Sequence, residues 1–78
     1  MTADEWLERY ASALGVPTPT ADDVASLLEL AGVAAHASER VAAPISCWLV
    51  ARADMPLADA LALSRRLAAD IASEDDHA

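Results

Sequence analysis

Apolar residues recur along this chain at the three- and four-residue steps of a helix, and nowhere do they alternate as strand residues would. Trp6, Tyr10 and Leu14 fall four apart, with Leu7 and Ala11 beside them. That spacing predicts a first helix over 3–14 with one apolar stripe. Thr2 and Glu5 fit a capping box, Gly15 suits the position after the last turn, and Pro17 and Pro19 stop the helix from resuming. A second helix is expected from Ala21 to Glu39 or Arg40, with Thr20 as its cap and Asp22 and Asp23 at the positive end of its dipole. Its main stripe is Val24, Leu27, Leu28, Ala31 and Ala35. Leu30 and Val33 fall outside that stripe, which marks a second contact, within the bundle or with a partner. Gly32 would permit a close helix crossing.

A third helix is expected from Pro44, near its first position, to Ala53. Ile45, Cys47, Trp48, Leu49, Val50 and Ala51 leave it almost no polar face. Such a helix is normally covered on all sides. In so small a chain this demands either close wrapping by the other helices or an oligomer. Asp54-Met55-Pro56 breaks the chain, with Asp54 or Met55 as the next cap. The fourth helix runs to Ser73 on a stripe of Leu57, Leu61, Ser64, Leu67, Ala68 and Ile71, with Arg66 able to pair with Asp70. The pattern therefore predicts an all-α fold: a compact four-helix bundle with an apolar central third helix. Residues 1–73 form one domain, and 74–78 form an acidic tail that frays.

Composition narrows the classes of partner. The 78 residues carry a formal net charge of −8, which repels phosphate backbones and anionic membrane surfaces alike. Neither nucleic acid nor membrane is an expected partner. No apolar run approaches the roughly 18 residues of a bilayer span. The acidic start lacks the basic and apolar regions of a signal peptide, so a cytoplasmic location is expected. Cys47 is the single cysteine, so no disulfide framework exists to support a small core. Alanine makes up roughly a quarter of the chain, which favours helix.

Candidate chemistry is sparse. His36 and Glu39 have a spacing that can chelate a metal, but two ligands do not make a site, and the only other histidine is His77 in the tail. A hydrogen-bonding role at the end of the second helix, with Arg40 and His36 meeting free carbonyls, fits these residues better. Cys47 has no basic neighbour and reads as a buried structural thiol. There is no Gly-x-Ser-x-Gly elbow and no phosphate-cradling glycine loop. The size, acidity and four helices are similar to those of an acyl carrier protein. The attachment motif fails, however: Ala25-Ser26-Leu27 lacks the aspartate, and Ser26 lies inside a helix. Trp6, Tyr10 and Trp48 have the spacing of core residues, with an exposed aromatic anchor as the alternative.

The residues Trp6-Leu7, Leu27 to Ala31, Ala35-His36, Glu39-Arg40, Ala43-Pro44 and the apolar run to Leu49 carry a resemblance over residues 4–70. The chain resembles a small family of uncharacterised all-helical domains from actinobacteria, found alone or attached to proteins like molybdenum cofactor guanylyltransferase. Members tend to have glycine after the histidine and proline after the arginine, where this chain has Ala37 and Val41. The resemblance implies an accessory role near molybdenum cofactor maturation, and no catalytic residues.

The expected function is accordingly a non-enzymatic helical module that binds another protein, without cofactor or metal. Its expected partner surface is Leu30, Val33, His36, Glu39 and Arg40. Two alternatives are a small-ligand or nucleotide-binding accessory domain, with a pocket near Arg40 and Trp48, and a structural homodimer closed by the third helix.

Overall fold

The first two helices begin where threonine side chains satisfy backbone N–H groups that a helix start leaves free. A computed structural model describes residues 1–76 and contains α1 (Ala3–Leu14), α2 (Ala21–Ala37), α3 (Ala42–Ala53) and α4 (Leu57–Asp76). The all-α class is as the pattern predicts, and no strand occurs among the described residues. At α1 the Thr2 hydroxyl accepts the Glu5 N–H at 3.1 Å. The Glu5 carboxylate takes the Thr2 hydroxyl proton instead of the Thr2 backbone N–H, so the expected box is only half made. The full reciprocal box forms at α2, where Thr20 and Asp23 each bond the other's backbone N–H. Gly15 adopts the left-handed conformation at φ 77°, and the Val16 N–H returns to the Ala11 carbonyl at 3.0 Å.

The corner between α2 and α3 differs from the expected one. Helix α2 stops at Ala37, before Glu39 and Arg40. The Ser38 hydroxyl and N–H both donate to the Ala34 carbonyl, at 2.8 and 3.1 Å. A short hydroxyl four residues on reaches that carbonyl without the side-chain ordering that His36 or Arg40 would need. Helix α3 then starts at Ala42, two residues before Pro44, and no side chain caps it. Asp54 ends α3 in the left-handed region at φ 52°. Helix α4 continues to Asp76, past the predicted end at Ser73 and into the expected tail; His77 lies outside the described residues.

Helix α2 forms the axis of the molecule. Both α3 and α4 pack along it, and α1 makes no comparable contact with any other helix. Among the described residues Leu30 is the most covered large apolar side chain, 2% exposed, with Ala11 and Ala60 as the other buried apolar residues. The expected central helix is thus corrected: α3 buries no residue completely, and α2 occupies the centre. The reason is geometric, since a helix is covered all round only if neighbours flank it on several sides, and α3 has one principal neighbour. The radius of gyration is 14.3 Å, over extents of 48 × 25 × 18 Å. A closed chain of this length would have a radius of about 11.5 Å.

Candidate functional site

The residues expected to form a partner surface are dispersed by the fold. Leu30 is core, sharing cavities with Ser46 of α3 and with Ser64 and Leu67 of α4. It lies outside the main α2 stripe because α2 has two neighbours and needs two apolar faces. Val33 and His36 line a shallow groove between α2 and α4, together with Glu29, Gly32 and Arg65. Arg65 and Glu29 form an ion pair across that groove, and it is this pair, not Arg66 with Asp70, that is made among the described residues. Both partners are more than half exposed, so the pair contributes at most about 1 kcal/mol. Glu39 and Arg40 sit in the exposed turn, where their backbone carbonyls accept the N–H groups of Ala42 and Ala43. Gly32 does not serve a close crossing: a Cβ at that position would meet no atom within 4 Å.

An uncovered apolar face lies elsewhere, on α3 and α4. The two helices enclose a groove of about 270 Å³ lined by Leu49, Val50, Met55, Ala60, Leu63 and Leu67, with Leu30 contributing from α2. Among the described residues, no ionisable side chain lines it. Leu49, Leu63 and Leu67 are each half exposed or more. On α3 the face continues past Leu49 to Ile45 and Trp48, 55% and 57% exposed. Arg52 lies over the Trp48 ring, its guanidinium carbon 5.1 Å from the ring centroid. The arginine at Trp48 is therefore Arg52, one helical turn on, and Arg40 stands apart in the α2–α3 turn. Cys47, expected to be buried, is only partly covered and carries a free thiol.

A second uncovered feature is the edge of α1. Trp6 and Tyr10 stack with ring centroids 5.5 Å apart and an interplanar angle of 24°. Both are at least half exposed, and Leu14 continues the same edge one turn later. The aromatic residues are thus surface residues, not core. Leu7 and Ala11, on the adjoining edge, are the α1 residues turned inward. The sequence held the signal for both features. More apolar residues sit on α1 and α3 than one neighbouring helix can cover.

Among the described residues, no group of three or more His, Cys, Asp or Glu side chains is placed to hold a metal ion. No helix among the described residues is long and apolar enough to cross a membrane. No curated protein and no solved structure matches the chain. One family model does match, over residues 1–76, and its description is a domain of unknown function, DUF6457. With nearly its whole length matched, the chain belongs to the DUF6457 family.

Proposed function

We propose that this protein is a non-enzymatic helical interaction module and that the α3–α4 face is its working surface. The carrying observation is the apolar groove with Ile45, Trp48 and Leu49 beside it, left open on a chain too small to waste apolar area. A cleft without an ionisable lining side chain offers no general acid, base or charged nucleophile, so it suits docking better than chemistry. The likeness to domains attached to molybdenum cofactor guanylyltransferases supports an accessory role beside such an enzyme.

The test is affinity capture from the native cytoplasm with the wild-type chain and a Leu67→Glu variant as baits. Leu67 is 58% exposed, so the substitution falls on the open side of the face. Recovery of a cofactor nucleotidyltransferase by the wild type alone supports the reading. Equal recovery by both baits removes the α3–α4 face as the working surface.

A further inference from the structure

We propose that a second copy of this chain covers the α3–α4 face, in a two-fold exchange that seats the Trp6–Tyr10–Leu14 edge of each protomer in the α3–α4 groove of the other. The inference rests on the reading above for the working face and takes a second copy, not a different protein, as its occupant.

Surface area makes the first argument. The chain exposes 6156 Å². A folded monomer of 8.1 kDa exposes about 4,500 Å². The excess of roughly 1,650 Å² per chain corresponds to about 3,300 Å² for a pair, within the range of obligate homodimers. The single chain also buries just under half of its unfolded surface, where a closed domain of this size buries about 60%. A partner needed for closure has to be present whenever the chain is made, and another copy of the chain always is.

Shape makes the second. One chain carries both halves of a complementary pair. The α1 edge is convex and aromatic, and the α3–α4 groove is concave and aliphatic. From Trp6 to Leu14 the edge runs about 12 Å, and from Ala60 to Leu67 the groove wall runs about 10 Å. The edge cannot readily swing into the groove of its own chain. The six residues from Gly15 to Thr20 include Pro17 and Pro19, and both ends of the segment are fixed by capping bonds. Leu7 faces a cleft that it lines together with Pro19 and Val24 at the start of α2. In a two-fold pair each edge meets the partner's groove, and both uncovered features close together.

Sedimentation equilibrium on the wild-type chain, Leu67→Glu, Tyr10→Glu and an equimolar mixture of the two variants tests the exchange. Far-UV circular dichroism reports whether each variant keeps its helices. The wild type should return a dimer mass, and its tryptophan emission should shift to longer wavelength on dilution through dissociation. Each variant alone should weaken the dimer by about thirtyfold or more, the loss expected for a central interface residue. The mixture should recover a heterodimer, because one intact edge then meets one intact groove. A fully helical wild-type monomer at high concentration, with concentration-independent emission, overturns the proposal whatever the variants do. A wild-type dimer whose variants do not complement overturns the exchange in favour of face-to-face packing. Either failure leaves the capture result untouched, so this inference and the wider reading fail separately.

Discussion

At the scale of single residues, the starts of α1 and α2 are decided by short-range chemistry between a threonine cap and the acidic residue three positions on. Thr20 lies three residues before Asp23, and the reciprocal bonds it makes need no tertiary partner. Thr20→Ala should therefore cost about 1 kcal/mol, read as a lowered urea midpoint. Thr2→Ala should cost less, since its box is half made. Gly32 shows the opposite case. Its role depends on what surrounds it, and spacing alone suggested a close crossing. With open space at its Cβ position, Gly32→Ala should raise stability by about 0.5–1 kcal/mol through lower unfolded-state entropy and better helix propensity. A loss of stability on thermal unfolding would mean that the α2–α4 groove is covered in solution. Ser38 was missed because a serine at the last turn looks ordinary, while His36 and Arg40 draw attention as charged or donor groups.

At the scale of elements, a single-stripe reading finds a helix but not how many neighbours it has. The α2 stripe through Val24, Leu27, Leu28, Ala31 and Ala35 is real as a periodicity. Yet its member Leu28 is 68% exposed, and Leu30, off the stripe, is the most covered residue of the helix. Two helices flank α2, so two faces must be apolar, and the second lies under α3 and α4. The same reasoning explains α3. An apolar surface all round states a demand for cover without stating who supplies it, and within one chain the demand is not met. Leu30→Ala should cost about 2–5 kcal/mol, a large fraction of the stability of so small a domain. Leu28→Ala should stay within about 0.5 kcal/mol on the same chemical denaturation assay. A comparable loss at both positions would mean that Leu28 is also covered in the native assembly.

At the scale of the whole molecule, charge and apolar area oppose each other, and their opposition separates one kind of partner from another. The chain has a net charge of −8, so two copies meet with like charges. The groove between α3 and α4 has no ionisable lining residue, so the repulsion acts between the bodies and not within the contact. Over extents of 48 × 25 × 18 Å, most of the charge lies farther apart than the Debye length of about 8 Å at 0.15 M salt, but within the 30 Å or so at 0.01 M. Added salt should therefore strengthen association between copies, with the dimer fraction at a fixed concentration rising from 0.01 to 0.15 M sodium chloride. A basic partner held by the net charge would respond in the reverse sense, because screening removes its attraction. Sedimentation at the two ionic strengths measures the first response, and titration with any captured partner measures the second. A dimer that dissociates as salt is added would place charged groups of opposite sign across its interface, and the apolar α3–α4 face would not be the surface that joins the two copies.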